Sequence, residues 1–168
     1  MKIQSLSTTE NSGKITFAKG GSISTTTAIL SSGDVTFGTL REDSTFIFGA
    51  EDALVDFTHT AGKTFIYGTI KAANITLAAS EINGNITTGK FVADDCIFNG
   101  ELNANNVTVT NLNSSTGSVN INLSGDFTNN GGTVKINKLT LLDSSTLTGD
   151  LTIGEFIATQ SLMTNPDE

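Results

Sequence analysis

The segments SGKITF (12–17), SGDVTF (32–37), DALVDF (52–57) and AANITL (72–77) recur at intervals of about 20 residues, and DDCIF (94–98) follows slightly late. Within each segment apolar and polar residues alternate, which is the period of a strand with one buried face. A fixed period of this length indicates stacked structural units. The sequence therefore predicts an all-β chain that folds as a parallel β-helix, or β-solenoid, with coils of about 20 residues.

Stacking these segments predicts columns of inward-facing side chains that form the core. A second set of strands, about ten residues out of phase, adds further columns. The predicted core columns are Ile15, Val35, Val55, Ile75 and Cys96; Phe17, Phe37, Phe57, Leu77 and Phe98; Phe46 with Phe65; and Phe48 with Tyr67. Glycine or Asn-Gly follows several of these strands, which supplies the backbone freedom that a sharp corner needs.

Beyond residue 100 the alternation persists but its spacing becomes uneven. We therefore expect a less regular C-terminal third, with variable turns or a different packing. The predicted organisation is an N-terminal cap or extension (1–11), one solenoid domain (12–158) and a C-terminal tail (159–168). A Greek-key sandwich of short hairpins is the alternative, but it does not require matched residue types at a fixed recurrence.

Charge and composition narrow the classes of partner. The 168 residues carry a formal net charge of −8 with a pI near 4.4, so neither nucleic acid nor an anionic membrane surface is an expected partner. The single cysteine, Cys96, cannot form an intramolecular disulfide and is predicted to be buried. No apolar run is long enough to predict membrane insertion, and the first residues lack the apolar stretch of a secretory signal. We expect synthesis in a cytoplasm, after which the chain stays there or leaves within a larger assembly, unless a signal has been removed.

Residues suited to catalysis are scarce. The single histidine, His59, follows a predicted strand without a nucleophile motif and is expected to lie in a turn. Three pairs of adjacent carboxylates occur, namely Glu42/Asp43, Glu51/Asp52 and Asp94/Asp95. Neighbours in a strand point to opposite faces, so such pairs are poorly placed to act on one bond. We predict no catalytic, cofactor-binding or metal site, no cofactor and no enzymatic activity, with a polysaccharide-cleaving solenoid as the enzymatic alternative.

A column of outward-facing residues is predicted between the first two core columns. Its members are Thr16, Thr36, Asp56, Thr76 and Ile97. Regular threonine rows on a flat solenoid face would favour ice binding. This row is single and interrupted, and threonine is common on any solvent-facing β-surface, so ice binding is a weaker alternative.

Three stretches resemble the repeats of fibrous proteins. INGNI (82–86), SGDFTNNGG (124–132) and TGDLTIG (148–154) are similar to the Gly-Asp/Asn-hydrophobic-Thr repeats of bacteriophage tail-fibre and other virion proteins. They also resemble repeats in the β-helical passengers of bacterial surface adhesins and, more distantly, those of bactofilins. The resemblance implies fibre, attachment or scaffold functions through self-association, and it carries over no catalytic residue.

These observations favour a structural virion component such as a tail-fibre, attachment or decoration protein. A phage component needs no signal because lysis releases it, whereas an adhesin needs export, and bactofilin coils are shorter and more uniformly aliphatic. An open solenoid end favours self-association. We expect a homo-oligomer, in trimeric form, that also binds other assembly proteins and a cell-surface glycan. The expected location is the virion, with a bacterial cell surface or the cytoplasm as the alternative.

Overall fold

A computed structural model describes residues 15–23, 28–29, 33–40, 43–114, 119–132, 134–143 and 145–158. The predicted N-terminal extension (1–11) and C-terminal tail (159–168) lie outside these ranges. Over the described residues the chain is all-β without a helix, and its parallel strands stack as a β-solenoid of about 7 turns with about 18 residues per turn. The predicted fold class is confirmed.

The solenoid is built from short strands joined by tight corners. In chain order they are β1 (Ile15–Phe17), β2 (Gly21–Ile23), β3 (Ala28–Ile29), β4 (Val35–Gly38), β5 (Thr45–Ala50), β6 (Ala53–Leu54), β7 (Phe57–His59), β8 (Thr64–Tyr67), β9 (Thr69–Ala78), β10 (Glu81–Asn83), β11 (Asn85–Asp94), β12 (Ile97–Thr110), β13 (Val119–Leu123), β14 (Phe127–Asn129), β15 (Val134–Leu141), β16 (Leu147–Thr148) and β17 (Leu151–Ala158). Strands of successive turns pair in parallel, and among the described residues only β5 and β6 pair antiparallel.

Each turn passes through three strand series, which we call faces 1, 2 and 3. Face 1 consists of β1, β4, β8, β10 and the start of β12. In the last turns the starts of β15 and β17 occupy the equivalent position. Face 2 consists of β2, β5, β13 and the parts of β9, β11, β12, β15 and β17 that follow face 1. Face 3 consists of β3, β7, β14, β16 and the ends of β9, β11 and β12. The longest strands therefore serve more than one face.

Alternation along each strand places one set of side chains in a single core. The buried members of the predicted columns are Val35, Ile75, Cys96, Phe17, Phe37, Phe57, Leu77, Phe98, Phe46 and Phe48. The side chain of Ile15 lies outside the described set. Phe37 packs against four other phenylalanine rings, with a stacked contact to Phe17 at 5.0 Å between centroids and edge contacts to the other three. Aromatic packing of this kind contributes beyond the burial of apolar area.

The predicted columns are correct between the first and second turns and wrong beyond the second turn. Phe17 pairs with Phe37 as expected, but Val35 pairs with Thr64 on the next turn and not with Val55. The second turn is longer than the first, because extra residues lie both between β4 and β5 and in the hairpin of β5 and β6 that precedes Val55. Val55 is only partly buried and packs against the edge of the core.

The positions predicted for Phe65 and Tyr67 are also wrong. Both side chains are only partly buried because Ile66, the residue between them, points inward and is fully buried. Phe65 pairs with Thr36 and Glu81, whereas Phe46 pairs with Gly21 and Ile70 on another face. A shift of one residue moves every side chain of a strand to the opposite face, so the alternation alone did not fix the direction of β8.

Two corners of the turn repeat at one constant interval in the middle of the chain. Between faces 1 and 2 lie Gly68, Gly84 and Gly100, where backbones of successive turns approach too closely for a side chain. Between faces 3 and 1 the residues with left-handed φ angles are Ala79, Asp95 and Asn111. After this region the spacing between partners becomes uneven, as between Leu102 and Ile121. The less regular C-terminal third is therefore present.

Candidate functional surfaces

His59 lies in the core and not in a turn as expected from the sequence. It is the second inward residue of β7, stacks in register with Leu77, and is 1% exposed. Its Nδ1 lies 2.7 Å from the hydroxyl oxygen of Thr64, and Nε2 has no hydrogen-bond partner among the described residues. Burial lowers the pKa of His59, while the nearby backbone of Gly33 and the charge of Asp34 oppose this shift. The imidazole is thus a neutral core group with no access to a substrate.

We expect the free energy of unfolding to fall as the pH is lowered from about 7.5 to about 5. The pKa of His59 lies below 6.5 in the folded chain, so the unfolded chain binds the proton first and gains stability from it. The stability contributed by neutral His59 is complete above pH 6.5 and is lost as the pH falls through the folded-state pKa. Urea unfolding at the two pH values measures the difference.

The matched variant for this prediction is His59→Leu combined with Thr64→Val. Leucine and valine already stand next to these positions in the same columns, at Leu77 and Val35. Replacing both polar partners by apolar groups of similar shape leaves no orphaned hydrogen-bonding atom. The pH-dependent loss should shrink in the double variant, and an undiminished loss would show that His59 is not its source.

The carboxylate pairs lie at corners of the turn. Glu51 and Asp52 form the exposed turn between β5 and β6, and Asp94 and Asp95 lie at the corner between faces 3 and 1. Glu42 lies outside the described residues, and its neighbour Asp43 is exposed before β5. Over the part of the chain that the structure describes, no group of three or more His, Cys, Asp or Glu side chains could hold a metal ion. The pairs at residues 51–52 and 94–95 occupy different corners and different turns.

A row of outward threonines runs along face 3. In register from turn to turn, its members are Thr58, Thr76, Val92, Thr108, Thr128 and Thr148. The predicted outward column was wrong, because Thr36 leads instead to Phe65, Glu81 and Ile97 on face 1. The real row has fewer interruptions but remains single, and exposed charged residues such as Asp56 and Lys90 flank it.

Face 1 carries aromatic side chains on its outer surface, in the third turn. Phe65 and Tyr67 point outward from β8, and Glu81 and Ile97 follow Phe65 in register on the next two turns. Ile97 is 38% exposed. A groove of about 380 Å³ is lined by Phe65, Glu81 and Ile97 together with Lys63, Asp95 and Asn113. Outward apolar residues that line one groove are more informative about binding than single exposed ones.

A ladder of hydrogen-bonded polar side chains lies beside these residues. Asn99 Nδ2 donates to Asn83 Oδ1 at 2.8 Å, and Asn83 Nδ2 donates to Glu81 Oε1 at 2.9 Å. The Ser114 hydroxyl donates to Asn99 Oδ1 at 2.8 Å. A second groove of about 280 Å³ is lined by Tyr67, Asn83 and residues of the corner between faces 1 and 2. The ladder fixes the orientation of Glu81 and Asn83 toward the two grooves.

The last described turn leaves core positions uncovered. Leu151, Ile153 and Phe156 stack in register on the buried residues Val134, Ile136 and Leu139. Leu151 and Ile153 are nevertheless only partly buried, and Phe156 is 45% exposed. Among the described residues β17 pairs with β15 alone, so its other edge presents backbone groups without partners from this part of the chain. Such an edge is a template for another strand.

Cys96 is buried, as the sequence predicted. Its thiol donates to the backbone oxygen of Asp94 at 3.4 Å, and burial raises the pKa of this thiol. A buried thiol held in its protonated form is a packing residue and not a nucleophile. The described residues contain no helix that is long and apolar enough to cross a membrane.

Comparisons with protein-family models, with curated proteins and with solved structures found no match for this chain.

Proposed function

We propose that this chain is a non-catalytic structural component of a larger assembly, of the kind found in virion fibres and decoration proteins, and that it acts through self-association. The observation that supports this proposal is the uncovered last turn. Three inward positions of β17 continue the core columns and then meet no further turn among the described residues. Covering them with a second copy would bury apolar area and satisfy the edge of β17 at the same time.

The rest of the body suits a mechanical role. Parallel ladders join every turn to the next, and aligned aromatic and aliphatic columns run through the whole core. Stacked units of this kind resist bending because each turn is held by hydrogen bonds and by side-chain packing together. The proposed location is the virion, and the proposed stoichiometry is the trimer expected from the sequence. Cytoplasmic filaments of the bactofilin type are the second candidate, since the same uncovered end could also stack head to tail.

We expect Phe156→Ser to weaken self-association by about tenfold or more. Phe156 is the largest uncovered core side chain of the last described turn, and serine removes most of the apolar area that a second copy would cover. The measurement is multi-angle light scattering over a concentration series, with negative-stain microscopy of the same samples. Discrete trimers support the virion proposal, and long filaments would replace it with the filament alternative.

The matched control is Ile157→Ser, which makes a similar change on the outward side of the same strand. Ile157 pairs with Thr140 and belongs to the outer surface of face 2. This variant should associate like the parent chain. A parent chain that remains monomeric at high concentration would contradict the proposal. The segment 159–168 is the competing occupant of this end. If this segment covers Phe156, its deletion should strengthen self-association.

A further inference from the structure

Phe65 and Tyr67 are partly exposed at outward positions of β8, where the core does not require an aromatic ring. The inward side of β8 is formed by Thr64 and Ile66, which are both fully buried. The outward positions of β8 could be polar without loss to the core, as they are in β10, where Glu81 and Asn83 occupy them. Two aromatic residues at outward positions of one strand therefore indicate contact with something outside the chain.

We infer that the outer surface of face 1 in the third to fifth turns is a binding site for neutral saccharides. We call this surface the saccharide surface, and its members are Phe65, Tyr67, Glu81, Asn83 and Ile97. Sugars present an apolar C–H side and a rim of hydroxyl groups. They are therefore recognised by aromatic rings next to polar side chains of fixed orientation. This inference goes beyond self-association and does not depend on it.

The hydrogen-bonding groups of the surface suit hydroxyl ligands. Glu81 uses Oε1 to accept from Asn83, and within the described chain its other carboxylate oxygen and the Tyr67 hydroxyl have no partner. A carboxylate accepts from sugar hydroxyls, while a phenol hydroxyl can both donate and accept. The polar ladder through Asn83 and Asn99 holds the Glu81 carboxylate in place before a ligand arrives, which lowers the entropic cost of binding.

Two neighbouring grooves give the surface the concave shape that a small ligand needs. Phe65 lines the groove of about 380 Å³ with Glu81 and Ile97, and Tyr67 lines the groove of about 280 Å³ with Asn83. Each groove therefore combines one aromatic ring with polar side chains. The two rings lie on the same strand, so an oligosaccharide lying along β8 would contact both of them.

Charge selects neutral ligands over anionic ones. The first groove contains the carboxylates of Glu81 and Asp95 against one lysine, Lys63, and the second contains Asp43. The whole chain carries a formal net charge of −8. Sialylated or sulfated glycans and nucleic acids would be repelled by this balance. A peptide that adds a strand is also excluded here, because β8 and β10 already have partners on both edges.

The test uses the full chain and an immobilised panel of neutral oligosaccharides, with sialylated and sulfated oligosaccharides as the anionic arm. We expect binding to members of the neutral arm. Phe65→Ser and Tyr67→Ser should each lower the affinity about tenfold, since each removes one stacking ring. Val92→Ser is the matched control, because Val92 is an outward apolar residue on face 3 of the fourth turn, and it should bind like the parent.

Several outcomes would overturn the inference. These are the absence of binding to the whole neutral arm, preference for the anionic arm, or an equal loss in Val92→Ser. Loss of self-association in Phe65→Ser, without loss of saccharide binding, would assign this surface to a second copy instead. Analysis of the bound oligosaccharides for cleavage separates the two proposals. Cleavage would agree with the saccharide site and would contradict the proposed non-catalytic function.

Discussion

Replacing Gly84 with alanine lowers the free energy of unfolding by about 3 kcal/mol. A Cβ at this position would overlap the carbonyl oxygen of Gly68 and would lie 2.8 Å from its nitrogen. That carbonyl accepts a hydrogen bond from the backbone nitrogen of Asn85 at 2.9 Å, so it cannot move away without disturbing the pairing between two turns. Urea unfolding followed by circular dichroism measures the loss, and its slope shows whether the folded state keeps its compactness.

The matched control for Gly84 is Gly131→Ala. A Cβ on Gly131 would have only the Thr110 methyl group nearby, at 3.8 Å. We expect a change within about 0.5 kcal/mol, in either direction. Equal losses in the two alanine variants would show that close stacking of the glycine corner does not determine the stability of this fold.

The second large effect is expected for Phe37→Ala, which should lower the free energy of unfolding by about 4 kcal/mol. Phe37 is fully buried and contacts the rings of Phe17, Phe46, Phe48 and Phe57. These rings belong to strands with their own hydrogen-bonded partners, so they cannot collapse into the space that the ring leaves. The cavity adds to the lost transfer free energy. Chemical denaturation at neutral pH measures the total.

Phe65→Ala is the informative comparison for Phe37→Ala, since the sequence pattern places both residues in the core. With Phe65 on the outer surface, its truncation should cost about 1 kcal/mol or less. A loss as large as that of Phe37→Ala would mean that β8 has its opposite face inward. In that case the saccharide surface would not exist.

The alternation of residues was sufficient to predict the fold class, because a half-buried strand imposes a period of two wherever it lies. It was not sufficient to predict which strands are neighbours. A solenoid accepts extra residues at its corners, as it does in the hairpin of β5 and β6, without changing the strands on either side. Val35 and Val55 therefore matched by type, while Val35 in fact stacks on Thr64.

A second recurrence in the sequence does carry the correct register. Gly68, Gly84 and Gly100 are evenly spaced, and Ile66, Ile82 and Phe98 on face 1 recur at the same interval. Glycine spacing is the more specific signal of the two, because only a corner with a close backbone approach excludes a side chain. The recurrence at intervals of about 20 residues obscured the glycine spacing, because frequent threonine and phenylalanine residues produce such matches by chance.

The surfaces were harder to predict than the core. The outward position of Phe65 and Tyr67 depends on the phase of one strand, and the sequence pattern favours their burial. The uncovered position of Phe156 depends on its neighbours in space, which no local pattern records. The position of His59 could not be predicted for the same reason. A histidine close to a glycine resembles a turn residue in the sequence, and only the structure shows that Leu77 stacks on it.

The corner glycines also make the length of the molecule adjustable in fixed steps. Between Thr64 and Thr110 each turn has the same number of residues, and each side chain stands above its equivalent in the turn before. Removal of one such turn would bring Gly100 over Gly68 and Phe98 over Ile66, with all columns still continuous. Duplication of a turn would do the reverse. This segment is therefore a ruler whose unit is one turn, and a gene that gains or loses whole units changes the length of the rod while its core columns stay continuous.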